Sequence, residues 1–181
     1  MMDRIKLHDK FFRPFIPNDR IESAIDAVAE KVNLDFEGCE DIPVVICTLT
    51  GAIMFTSELL KRLRFQCEVS CIKLSSYQGT RSTGTVLTML GLTGDVKGRR
   101  VIICEDIVDT GNTILALQEM LLAQGAAEVR ICTLLLKPDV YDKDVKLDYV
   151  AMEIPNAFIV GFGLDYDELG RQYKDIYVLD Q

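Results

Sequence analysis

Four short, almost unbroken apolar runs limit what this chain can become. They lie at residues 43–47, 69–74, 100–104 and 129–136. Each is strand-length, and each lacks the polar–apolar alternation of a strand wetted on one face. Helical patterns at 53–64 and 113–124 fall between them, together with one long loop-like stretch. Buried strands alternating with helices predict an α/β fold, a central mostly parallel sheet flanked by helices. An amphipathic pattern at 18–33 predicts a further helix, with Asp19 and Glu22 at capping-box spacing. Two more strand-like runs lie at 149–154 and 158–162.

The 181 residues suit one domain. Twenty basic residues face 28 acidic ones, a net charge of −8. Such a surface does not attract nucleic acid or anionic membrane as a whole, so an anionic ligand needs a local site. No apolar run approaches the about 20 residues of a membrane span, and residues 1–12 lack a secretory core. Six cysteines include no C-x-x-C pair, and Cys47, Cys71, Cys104 and Cys132 lie inside apolar runs. Reduced core thiols in a cytoplasmic protein are expected. His8 is the lone histidine, so no zinc site is expected.

Residues 75–94 differ in character. Twelve of these twenty are Ser, Thr or Gly, and none is acidic. A surface hairpin is one reading; a mobile lid is the other. Between residues 71 and 100, Lys73, Arg81, Lys97, Arg99 and Arg100 face Asp95 alone. That locally positive stretch is compatible with an anionic ligand.

The chemistry concentrates at residues 101–113. An apolar strand ends in Glu105 and Asp106, Asp109 follows, and the turn Thr110, Gly111, Asn112, Thr113 opens a helix. Ligands of open α/β sheets bind beyond the carboxyl ends of strands. Backbone N–H groups at a helix N-terminus suit a monophosphate. Gly111 permits positive φ. Ionised Glu105 and Asp106 accept hydrogen bonds from vicinal ribose hydroxyls, or sit near a divalent cation. Asp109 is placed to exchange a proton with a reacting base. No Walker A or G-x-G-x-x-G sequence occurs.

This segment resembles the phosphoribosyl diphosphate signature of the type I phosphoribosyltransferases. Leu74, Ser75, Ser76 and Tyr77, followed by the Ser/Thr/Gly stretch, resemble the mobile hood of the hypoxanthine-guanine branch. Leu134 to Pro138 and the stretch 158–171 resemble that branch's purine-lysine and C-terminal motifs. The resemblance implies a single domain over 1–181. Its hood would come from the N-terminal segment and about 149–181, with a flexible loop at about 75–94. It implies Lys137 donating to a 6-oxopurine, Phe158 stacking on the base and Ile159 offering backbone to its edge. Asp165 would lie by the purine and help hold Mg2+, with Glu105 and Asp106 near the ion. Arg171 would bind diphosphate. Thr50 and Gly51 would contact diphosphate through backbone, and Ser76 and Tyr77 would cover the sugar. Many members carry lysine where this chain has Thr50.

The implied reaction moves ribose 5-phosphate from phosphoribosyl diphosphate to hypoxanthine or guanine, with Asp109 managing the proton. A homodimer or homotetramer is the implied assembly. The rivals are a phosphoribosyltransferase for another base, a receiver domain, and a non-enzymatic nucleotide-sensing regulator that binds RNA. The charge of −8 counts against the regulator.

Overall fold

The computed structural model describes residues 3–39, 41–76, 86–90, 92 and 94–180, with side chains left aside at 74–76 and 86–90. Tyr77 and residues 78–85, which carry the expected hood loop, lie outside the described residues. In chain order the elements are β1 (Ile5–Leu7), β2 (Lys10–Ile16), α1 (Asn18–Phe36), β3 (Val44–Leu49), α2 (Ile53–Leu60), β4 (Glu68–Ser76) and β5 (Val86–Leu90). They continue with β6 (Arg100–Val108), α3 (Asn112–Ala123), β7 (Glu128–Leu136), β8 (Tyr149–Glu153), β9 (Ile159–Val160) and β10 (Ile176–Leu179).

The main sheet runs β5-β4-β3-β6-β7-β8. Its strands are parallel except β5, which returns antiparallel along β4. Ser75 and Ser76 thus pair antiparallel with Leu87 and Val86. Along most of their length, adjacent residues of the inner strands point to opposite cores. Val45, Ile102, Cys104 and Leu134 pack with α1 and α2, while Ile46, Ile103 and Ile131 pack with α3. Burial on both faces explains why the sequence shows unbroken apolar runs. Cys71, Cys47, Cys104 and Cys132 share one register across β4, β3, β6 and β7. The last three are buried and Cys71 is half-buried; all four are free thiols.

From β3 the chain crosses to β4 through α2, and from β6 to β7 through α3, on the opposite face. The direction of winding therefore reverses between β3 and β6. That switch point opens a crevice at the strands' carboxyl ends.

A second sheet, β1-β2-β10-β9, lies beside this crevice. Its N-terminal strands were invisible to the apolar-run criterion, because β2 contains Pro14 and pairs with β10 at the far end of the chain. The expected C-terminal hood boundary near 149 is corrected: β8 belongs to the main sheet, and the second sheet takes over only at Ile159. The strand expected at 158–162 is only Ile159–Val160, because Gly161 and Gly163 both adopt positive φ.

Helix α1 starts at Asn18 as expected but runs past 33 to Phe36, and two further details differ. The N-cap of α1 is Pro17, and no capping box forms. The Asn18 N–H instead donates to Asp175 Oδ1 at 2.7 Å, tying α1 to the second sheet. Glu22 is drawn to Arg62, which also meets Asp26 and Glu58. Helix α2 ends at Leu60, short of the expected Arg64, in a tight turn where Arg62 N–H donates to Leu59 O at 2.9 Å.

Candidate active site

Strand β6 carries the acidic residues to the crevice, and its neighbours set their surroundings. On one side, β3 ends at a cis Leu49–Thr50 peptide and enters α2 through Gly51 and Ala52. A Cβ on Gly51 would stand 1.8 Å from Asp106 Oδ2, so only glycine lets the loop pass that carboxylate. The second sheet closes on the same loop. A Cβ on Gly163 would stand 2.0 Å from Gly51 O. Arg171 Nη1 donates to Gly163 O at 2.9 Å, and its Nη2 meets Asp165 Oδ1 at 2.8 Å. Asp165 Oδ2 accepts the Glu168 N–H at 2.9 Å. Gly51, Asp106, Gly163, Asp165 and Arg171 therefore form one assembly.

Burial dominates Asp106 and its strand neighbour Glu105. Glu105 is pushed up to about 8 by desolvation and then by the neighbouring Asp106. Its Oε2 is buried without a hydrogen-bond partner among the described residues. Asp106 is pushed up to about 6, again chiefly by desolvation. The Ile107 and Asp106 N–H groups and the Arg171 charge oppose that rise, while Asp165 adds to it. Thr48, at the end of β3, donates to Cys104 O at 2.8 Å and locks β3 to β6 at this level.

Asp109 belongs to a second group. The β6–β7 register sets Val108 opposite Leu136, so Asp109 and Lys137 leave their strands side by side. The Lys137 N–H donates to Val108 O at 3.0 Å, and its Nζ lies 3.0 Å from Asp109 Oδ2. The lysine side chain is 10% exposed and that of Asp109 50%. Next comes Thr110 and then Gly111, the N-cap of α3 at φ 82°. The Leu115 N–H is bonded back to Gly111 O at 3.0 Å. The N–H groups of Asn112, Thr113 and Ile114 precede it and have no intrahelical acceptor.

Phe158 and Ile159 arrive on the second sheet. They are linked to the Lys137 end of β7 by a short connection in which Ile154 N–H donates to Leu136 O at 2.9 Å. The Phe158 ring is 46% exposed, at 5.7 Å and 89° to Tyr166 and 6.1 Å from Phe12. Ile159 is buried and pairs with Val178. Ser76 stands at the end of β4, and Tyr77 lies outside the described residues. His8 packs edge-on against Tyr166, with Nε2 3.1 Å from Asp167 O.

Sequence reasoning missed Gly163, Tyr166, Tyr141 and Lys143. The first two stand in the quoted C-terminal motif, where glycine spacing was the available signal. The last two sit in an acidic, patternless segment after β7. There Tyr141 and Lys143 pack against Gly111.

The phosphoribosyl transferase domain family matches residues 17–167. The chain is 39% identical over 155 residues to the hypoxanthine-guanine phosphoribosyltransferase of Streptococcus thermophilus, covering 85% of each chain. It is 36% identical over 182 residues to the hypoxanthine-guanine-xanthine phosphoribosyltransferase of Tritrichomonas foetus, covering 99% of this chain and 98% of that one. A solved hypoxanthine phosphoribosyltransferase from Staphylococcus aureus matches with a TM-score of 0.86 at 32% identity, over 93% of this chain and 91% of that one. By sequence and by fold, this chain belongs to the hypoxanthine-guanine phosphoribosyltransferase family.

Proposed function

We propose that the protein is a purine salvage transferase. It moves ribose 5-phosphate from phosphoribosyl diphosphate to hypoxanthine and guanine, giving IMP or GMP and diphosphate. The observation that carries this reading is the Asp109–Lys137 pair, 3.0 Å apart beside the unsatisfied N-terminus of α3. A carboxylate, a donor-only ammonium and helix N–H groups that suit a phosphate meet at one strand end, which supports the reading. An ammonium donates to a 6-oxo oxygen and meets an amino group poorly.

The bond between the anomeric carbon and diphosphate breaks as the bond to the purine ring nitrogen forms. Asp109 takes the proton that the imidazole ring releases. The N–H groups opening α3 hold the 5′-phosphate. Glu105 and Asp106 accept the ribose hydroxyls. Arg171, now paired with Asp165, turns its guanidinium fork to the diphosphate. The exposed face of Phe158 stacks on the base. Positioning and electrostatics carry the rate, with no covalent intermediate on the protein.

The acids also fit a magnesium ion held largely by substrate. Glu105 Oε2 is a buried acceptor with an open position. Magnesium is commonly bound through one or two carboxylates plus substrate phosphate oxygens. Asp165 would help hold it, with Glu105 and Asp106 near the ion, and its charge would favour departure of diphosphate. Among the described residues no helix is long and apolar enough to cross a membrane.

A base panel tests the reading. With magnesium and phosphoribosyl diphosphate, hypoxanthine and guanine should be converted to nucleotides and adenine, orotate and uracil left alone. Turnover of adenine, or silence on every base, would sink it.

A further inference from the structure

The turn Thr110–Thr113 contains no lysine or arginine. A phosphate brings a charge of about −1.5 to −2 to a strand end where the Lys137 ammonium is already paired with Asp109. Backbone N–H groups and a helix dipole offset only part of that.

A cation reaches the turn from elsewhere in the chain. After β7 the backbone folds back across Gly111. A Cβ on Gly111 would stand 2.6 Å from Tyr141 Cε2 and 2.9 Å from Lys143 Cγ. Tyr141 is anchored by its packing on the α3-side core and by its O–H donating to Val145 O at 2.5 Å. The Lys143 stem is thereby laid against the N-cap of α3, with 24% of its side chain exposed. Its Nζ rests on Asp142 Oδ1 at 2.6 Å, and Asp142 is 67% exposed. So exposed a pair is weak. A rotamer change at the end of the side chain takes the ammonium off Asp142 while the stem stays packed.

We propose that Lys143 is a phosphate-binding residue of this enzyme, moving from Asp142 to the 5′-phosphate and supplying the side-chain charge that the turn lacks. This rests on the phosphoribosyl-transfer reading. It also gives the acidic segment 139–148 a purpose. Asp142 holds the ammonium at the site when phosphate is absent and yields it when phosphate arrives. Gly111 is then needed twice, for its positive φ and for the room it leaves Tyr141 and Lys143.

The test is calorimetric binding of IMP and of inosine, which differ only in the phosphate, to the wild-type protein, Lys143→Met and Asp142→Asn. Methionine keeps an apolar stem against Gly111, so packing survives and charge does not. The expected result is a loss of about tenfold in IMP affinity for Lys143→Met, with inosine affinity unchanged. Added salt should weaken IMP binding more in the wild type than in this variant. Asp142→Asn, which frees the ammonium, should tighten IMP by about two- to threefold. An unchanged inosine-to-IMP ratio in Lys143→Met overturns the proposal, as does an equal loss for both ligands, which would make Lys143 a packing residue. A wild-type protein that does not prefer IMP to inosine would overturn the phosphoribosyl-transfer reading itself.

Discussion

Asp106 and Asp109 leave the same strand three residues apart and enter different environments. Asp106 faces the Gly51 loop and the second sheet, and burial lifts both it and its strand neighbour Glu105. Asp109 stands half-exposed against a lysine ammonium. Similar carboxyl groups at one strand end are thus prepared for separate work. On the proposed reading, the buried pair would be an acceptor set for neutral hydroxyls and for a cation brought by substrate. The half-exposed residue, next to Lys137, would manage a proton. What separates them is the partner strand: β3 with its glycine loop on one side, β7 with Lys137 on the other.

If the division is real, substitutions on its two sides should fail differently. The largest effect belongs to Asp109→Asn. Steady-state kcat should fall about 10²-fold or more, the usual scale for losing an acid–base group. Lys137→Ala comes next. It should raise the KM for hypoxanthine about 10- to 100-fold, the worth of a hydrogen bond to a charged donor. The KM for phosphoribosyl diphosphate should stay within about threefold. An unchanged purine KM would remove Lys137 from the base pocket.

Glu105→Gln has the smallest expected effect, and it is on stability. The folded protein holds the Glu105 proton from its ordinary 4.5 up to about 8, whereas the unfolded chain releases it near 4.5. The native state therefore binds more protons across that window, and the group's contribution to stability falls as pH rises through it. Removing the acid should stabilise the free protein at pH 8.5 by on the order of 2 kcal/mol. That is about 4–8 °C in Tm for a chain of this size. At pH 4.5 the gain should vanish. Thermal melts of both proteins across this range read the difference, and parallel curves would show that Glu105 is not buried as described.

The inner strands were legible because burial on both faces leaves an unbroken apolar run, and no surface strand imitates that. The turn at residues 110–113 was legible because its chemistry is local: strand, acids, glycine and helix follow one another in sequence. The second sheet was not legible. Strand β2 pairs with β10 across nearly the whole chain, and Pro14 disguises it. Asp19 and Glu22 have capping-box spacing, yet the α1 N-terminus is satisfied by Asp175 from the far end of the chain. The stacking of Gly163 on Gly51 and of Gly51 on Asp106 is likewise tertiary. Sequence shows which residues carry chemistry, and long-range contacts decide the environment in which each carries it.

The central claim, that Asp109 serves chemistry while the neighbouring acids serve binding, is tested most directly by two readings on Asp109→Asn. One is the dissociation constant for phosphoribosyl diphosphate with magnesium, by calorimetry. The other is the single-turnover rate with saturating hypoxanthine. The account expects the rate to fall about 10²-fold or more while the dissociation constant stays within about threefold. A comparable loss in both would contradict it.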